Sequence, residues 1–139
     1  MSIEVLIVAS PGGHLNVAKE IFLNTKFRVK YITTPVNNLS GEGVLTIRWY
    51  GRNYKILLSF IDAAKIVWKY KPNVIFSSGA GVAIPFFIIG KLMGIGLIFL
   101  ESASRVNSLS LTGKILKLIS NKFYVRDENL SKKMGISID

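Results

Sequence analysis

The chain contains no cysteine, which excludes disulfides, thiol nucleophiles and thiolate metal sites together. With a single histidine besides, it offers no zinc chemistry, and neither a metal nor a cofactor is expected. Acidic residues are scarce: 8 Asp and Glu stand against 18 Lys and Arg, for a formal net charge of +10. That balance favours anionic partners such as phosphates, nucleic acid or acidic lipid headgroups, without choosing among them. The recognised RNA- and DNA-binding signatures are missing and the aromatics follow a core-like period, which argues against a basic nucleic-acid-binding module.

Nor is a secretory leader expected. Met1-Ser-Ile-Glu has no basic region, and Val5 to Ala9 is too short for a signal core, so a cytoplasmic location is expected. No apolar run is both long and unbroken. Val82 to Leu100 approaches the length of a bilayer span, but Pro85, Gly90, Lys91, Gly94 and Gly96 interrupt it, and it reads as a buried helix, a turn and a buried strand. No repeat, low-complexity tract or long linker divides the chain, so residues 1–139 read as a single domain.

What is present is a large apolar fraction, 50% of the residues, enough for a core without staples. Short runs rich in Val, Ile and Phe alternate with segments of helical period, the pattern of an α/β fold with a Rossmann-like parallel sheet and helices on both faces. The expected strands are Glu4 to Ala9, Phe27 to Thr33, Val44 to Arg48, Val74 to Ser77, Leu97 to Leu100 and Lys122 to Val125. The expected helices are Leu15 to Phe22, Tyr54 to Tyr70, Val82 to Met93 and Leu111 to Ile119, with a short one from Glu128 to Met134. Pro72 closes the longest helix and Asn73 opens the fourth strand. In that helix Leu57, Ile61, Ala64 and Trp68 recur at intervals of three and four and are taken as its core stripe.

Chemistry-bearing residues fall where strands end, the position of ligand loops in open α/β sheets. Ser10-Pro-Gly-Gly-His14 joins the first strand to the first helix, and backbone amides of Gly12 and Gly13 with the helix dipole suit a phosphate. It is not a dinucleotide fingerprint, since the Gly-x-Gly-x-x-Gly spacing is absent. His14 is a diphosphate contact if protonated and a base if neutral, or else architectural. Ser77-Ser-Gly-Ala-Gly81 repeats the small-residue design after the fourth strand, making Ser77, Ser78 and Gly79 candidates for phosphate or sugar contact. Glu101 ends the fifth strand, as a sugar ligand or general base. Ser102 and Arg105 follow; Arg105 can clamp a diphosphate, or pair with Glu101 across one helical turn. Arg48, Arg52 and Lys55, beside Trp49 and Tyr50, suit an anionic membrane surface or a solvated face.

Taken in order, Ser-Pro-Gly-Gly-His14, Gly51-Arg-Asn-Tyr54, Lys71-Pro-Asn-Val-Ile-Phe-Ser-Ser-Gly-Ala-Gly81, Glu101-Ser-Ala-Ser-Arg105, Leu109-Ser-Leu-Thr-Gly113 and Lys122-Phe-Tyr-Val125 resemble a known family. It is the anchor and acceptor-side subunit family of the two-part N-acetylglucosaminyltransferase of asparagine-linked glycosylation, with relatives in capsule and exopolysaccharide assembly. The resemblance implies the N-terminal, acceptor half of a split MurG-type GT-B glycosyltransferase. It further implies a polyprenyl-diphosphate-linked saccharide as acceptor, a UDP-sugar as donor, and a separate catalytic subunit that binds the donor. Two departures stand out: Asn73 replaces a frequent aspartate, and Val125-Arg-Asp-Glu replaces a valine, glutamine and tryptophan sequence. Eukaryotic relatives often begin with a membrane-spanning helix, so attachment here is expected to be peripheral, on the cytoplasmic face of a membrane. The competing reading from the residues alone is a self-sufficient nucleotide-binding enzyme.

Overall fold

Five consecutive apolar residues, Val5 to Ala9, are each no more than 4% exposed. A run buried on both sides and bounded by small residues makes a central strand of a parallel sheet, where helices cover both faces. It is β1 (Glu4–Ala9), the centre of the architecture. A computed structural model of the protein describes residues 3–9, 13–33, 44–46, 56–79, 81–101 and 111–125. Over these the chain continues as α1 (Gly13–Phe22), β2 (Arg28–Thr33), β3 (Val44–Thr46), α2 (Ile56–Tyr70), β4 (Val74–Gly79), α3 (Ala83–Leu92), β5 (Gly96–Leu100), α4 (Leu111–Lys117) and β6 (Lys122–Tyr124). The expected helix from Glu128 to Met134 lies outside the described residues.

The described strands form one six-stranded sheet in the order β3-β2-β1-β4-β5-β6, parallel throughout. This is a Rossmann-like, doubly wound α/β fold, as the alternating pattern predicts. Its two faces are built differently. On one, α1 lays Ala18, Val17 and Phe22 over Val5, Ile7, Phe76 and Leu100. On the other, α2, α3 and α4 pack Val67, Phe86, Phe87 and Leu116 against Leu6, Val8, Ile75 and Phe99. Alternation along β1 assigns Val5 and Ile7 to the first face and Leu6 and Val8 to the second.

Two asparagines stitch the amino edge of the sheet. Asn73 Oδ1 accepts the Glu4 N–H at 2.9 Å, while its own N–H donates to the Glu4 carbonyl at 2.8 Å. Asn121 repeats the design on β5: its Oδ1 accepts the Leu97 N–H at 2.8 Å and its N–H donates to the Leu97 carbonyl at 2.9 Å. The atom of Asn73 in use is an acceptor, which an aspartate supplies equally well, so that departure from the family pattern leaves the fold intact.

The segment from Val82 to Leu100 is a buried helix, a turn and a strand, as its interruptions predict. Gly94 makes the turn at φ +75. Gly90 lets α3 approach the sheet so closely that a Cβ there would stand 2.8 Å from Ile75 Cδ1 and 2.9 Å from Leu97 Cδ2.

The orientation of α2 corrects the sequence reading. Leu57, Ile61 and Trp68, expected in the core, are 66%, 50% and 66% exposed. Ser59, Ala63 and Val67 face inward instead, at 1%, 0% and 0%. Nearly the whole circumference of α2 is apolar, so hydrophobic period could not choose a face. The smaller residues won, because they let the helix sit close to the sheet and α3.

Candidate functional site

The site is set by a change of direction in the fold. β1 leads into α1 on one face and β4 into α3 on the other, while the two strands lie side by side. Their carboxyl ends therefore open a crevice at the topological switch point. The ladder is deformed there: Ile7 pairs with Phe76 but Ala9 with Gly79, so β4 advances three residues while β1 advances two. The extra residue lies in Ser77-Ser78, and a bulge of this kind bends the strand end and re-aims its side chains. Gly79 follows at φ +134, a conformation available to glycine and costly for any residue with a Cβ. Its N–H donates to Ser77 Oγ at 3.2 Å, which fixes the bend. Ser77 and Ser78 are 0% and 3% exposed.

On the β1 side, Gly13 is the first residue of α1, whose first turn holds no acidic residue. The amides and positive dipole end of that helix are thus not offset by a carboxylate of its own first turn, and they favour an anion. His14 lies in the same turn; its side chain is outside the described residues, as are Gly12, Ser102 and Arg105. Glu101 follows β5, with its N–H donating to the Tyr124 carbonyl at 2.8 Å, and it is 1% exposed. So the structure brings Gly13, Ser77, Ser78, Gly79 and Glu101, from three segments distant in sequence, to the carboxyl edge of the three adjacent strands β1, β4 and β5. The buried acid lies one strand away from the crevice, a place suited to a group that holds a sugar hydroxyl or accepts its proton.

Thr33 was missed by sequence reasoning. It ends β2 at the same edge, is 0% exposed, and its Oγ1 has no hydrogen-bond partner among the described residues. The signal that could have found it is its place, a polar residue closing an apolar strand. Among the described residues there is no group of three or more His, Asp or Glu fit to hold a metal ion, and no helix long and apolar enough to cross a membrane. A groove of about 390 Å³ does exist, but at the opposite, amino edge, lined by Glu4, Arg28, Lys30, Tyr70 and Pro72. Its Arg28 and Glu4 pair at 3.7 Å and Lys30 sits 4.7 Å from the centre of the Tyr70 ring. Those contacts engage Glu4, Arg28 and Lys30 with one another and with Tyr70.

Comparison with known proteins follows the same division. The profile of the family described as "Oligosaccharide biosynthesis protein Alg14 like" matches residues 46–137. UDP-N-acetylglucosamine transferase subunit ALG14 of Candida albicans is 38% identical over 80 residues, covering 53% of this chain and 36% of that protein. The Staphylococcus aureus UDP-N-acetylglucosamine--N-acetylmuramyl-(pentapeptide) pyrophosphoryl-undecaprenol N-acetylglucosamine transferase is 27% identical over 125 residues, 90% of this chain but 33% of that one. Among solved structures, MurG of Acinetobacter baumannii superposes with a TM-score of 0.72 at 18% identity, over 88% of this chain and 41% of its own. A UDP-GlcNAc 2-epimerase of Methanocaldococcus jannaschii gives 0.76 at 14% identity, over 97% and 44%. The structural matches establish the fold, that of one half of a GT-B protein. The chain spans less than half the length of these curated relatives.

Proposed function

The chain belongs to the Alg14-like family of oligosaccharide biosynthesis proteins, and from that premise we propose that it is the acceptor-binding subunit of a two-component glycosyltransferase. The acceptor is a polyprenyl-diphosphate-linked saccharide. The donor is a UDP-sugar, UDP-N-acetylglucosamine by the names its relatives carry, and a separate catalytic subunit binds it. Attachment to the cytoplasmic face of a membrane is peripheral. One observation carries the reading: the relatives matched in this family are named as subunits of a UDP-N-acetylglucosamine transferase.

In this reading the acceptor hydroxyl attacks the donor's anomeric carbon. The bond from that carbon to the UDP oxygen breaks, UDP leaves, and the hydroxyl proton passes to His14 or Glu101 as general base. Arg105 and the amides of Gly12 and Gly13 stabilise the acceptor diphosphate, while Gly79 shapes the turn beside it. Ser78 and Ser102 contact its oxygens, and Ser77 acts through Gly79, whose N–H it holds.

The test is transfer of radiolabelled sugar to a polyprenyl-diphosphate saccharide in detergent, with each chain alone and with both. Product only when a donor-binding partner is added is the expected result, and turnover by the lone chain overturns the reading. Within the complex, Glu101→Gln lowers kcat by about 10²- to 10⁴-fold if the carboxylate is the base; an unchanged kcat assigns that step to His14.

A further inference from the structure

Buried polar atoms of folded proteins almost always have partners, and one that lacks them is either a cost or a group kept for use. Thr33 is such a case: it is 0% exposed, and its Oγ1 has no hydrogen-bond partner among the described residues. Valine has nearly the same shape, suits a strand equally well and would bury no orphaned hydroxyl. The free fold therefore gains nothing from the oxygen.

The neighbours of Thr33 indicate what the hydroxyl is for. Val29 and Tyr31 of β2 pack on the α1 side of the sheet, and alternation puts Thr33, two residues on, on the same side. Val8 pairs with Ile32, so Thr33 flanks Ala9, the last residue of β1. Lys19 of α1 holds its ammonium 5.8 Å from the centre of the Tyr31 ring, which ties the helix to β2. From Tyr31 to Thr33 the strand advances about 7 Å toward the carboxyl edge, and from Lys19 back to Gly13 the helix covers about 9 Å in the same direction. Thr33 thus stands level with the amino end of α1, on the β2 flank of β1, while Ser77 to Gly79 stand on the β4 flank.

We infer that Thr33 Oγ1 donates a hydrogen bond to a phosphate oxygen held at the amino end of α1. The helix amides and dipole favour an anion there, and a hydroxyl bond to a charged oxygen is stronger than one to a neutral acceptor. Burial raises its worth further, since little water competes for the donor. The acceptor diphosphate is then gripped from the β2 flank as well as from the β4 flank. This deepens the acceptor reading and rests on it for the identity of the anion.

The experiment is thermal melting of the 139-residue chain in rising concentrations of inorganic diphosphate at constant ionic strength, which reads affinity from the rise in melting point. The parent should be stabilised by diphosphate. Thr33→Val should melt no lower than the parent without ligand, because it removes an unpartnered group, and its affinity for diphosphate should fall about tenfold or more. Thr33→Ser, which keeps the hydroxyl, should bind as the parent does. Ser59→Ala is the control: Ser59 Oγ also has no partner among the described residues, but it lies one turn before Ala63 in α2, on the other side of the sheet, and its loss should leave the affinity unchanged. The inference is overturned by the absence of a diphosphate effect on the parent, by equal affinity in Thr33→Val, or by a loss in Ser59→Ala as large as in Thr33→Val. A lower melting point of unliganded Thr33→Val would also overturn it, since the hydroxyl would then serve the free fold. Neither saccharide nor catalytic subunit enters this test, so discrimination at Thr33 without sugar transfer would refute the proposed function alone, and transfer with equal diphosphate affinity would refute this inference alone.

Discussion

The two faces of the sheet divide the molecule's work. On the side covered by α2, α3 and α4, Phe86 and Phe87 of α3 and Phe99 of β5 are all fully buried, with Phe87 edge-on to Phe99 and Phe99 stacked on Phe123. Beneath α1, the described packing is thinner: Phe22, only partly buried, meets Phe76 edge-on with ring centres 5.1 Å apart. The thick face supplies stability and, on its outside, an apolar and basic surface. The thin face carries the helix whose amino terminus opens on the crevice.

The comparison is most easily broken by large-to-small changes. Phe86→Ala should destabilise by about 3–5 kcal/mol, and Phe22→Ala by no more than about 2 kcal/mol, measured by urea unfolding; equal losses would mean the faces are energetically alike. Gly90→Ala tests how tightly α3 is seated. Its methyl group would stand 2.8 and 2.9 Å from the side-chain ends of Ile75 and Leu97, both fully buried, and they must shift to admit it, for a cost of about 1–3 kcal/mol. A neutral result would show that the thick face has slack.

Asn73→Ala removes the acceptor for the Glu4 N–H at a partly solvated site, so a loss of about 1 kcal/mol is expected. Asn73→Asp should stay within about 0.5 kcal/mol of the parent at pH 7, since the acceptor is retained. The smallest effect concerns Tyr31 on the α1 face, whose hydroxyl is pushed above the ordinary 10.0 by burial. The folded state thus holds its proton longer than the unfolded state. The resulting stability is intact below pH 10 and is lost as pH rises through the folded value. Tyr31→Phe should flatten that alkaline decline in thermal melts, while leaving the melting point at pH 7 nearly unchanged.

The fold was largely legible in the sequence because its strands are short buried runs with sharp ends. β1 matches its expected bounds, and the membrane-like run is divided into α3 and β5 as expected, with the turn at Gly94. The facing of α2 was not legible: Leu57, Ile61 and Trp68 have as regular a spacing as Ser59, Ala63 and Val67, and only the space available between sheet and α3 separates them. At the candidate site, chain position placed Gly13, Ser77, Ser78, Gly79 and Glu101 at the carboxyl edge of the sheet, where the structure has them, the edge that carries ligands in this class of fold. The bulge at Ser77-Ser78 was not visible, because it is a mismatch between two strands and neither strand encodes it alone. Thr33 escaped for a related reason: that its hydroxyl has no partner among the described residues is a property of its surroundings.

Equilibrium binding by the isolated chain tests the division of labour most directly. Titrated with a short-chain polyprenyl-diphosphate saccharide and, separately, with the UDP-sugar, the chain should bind the first and not the second, with Glu101→Gln or Arg105→Ala weakening what is bound. Tight binding of the UDP-sugar and none of the diphosphate saccharide would contradict the account.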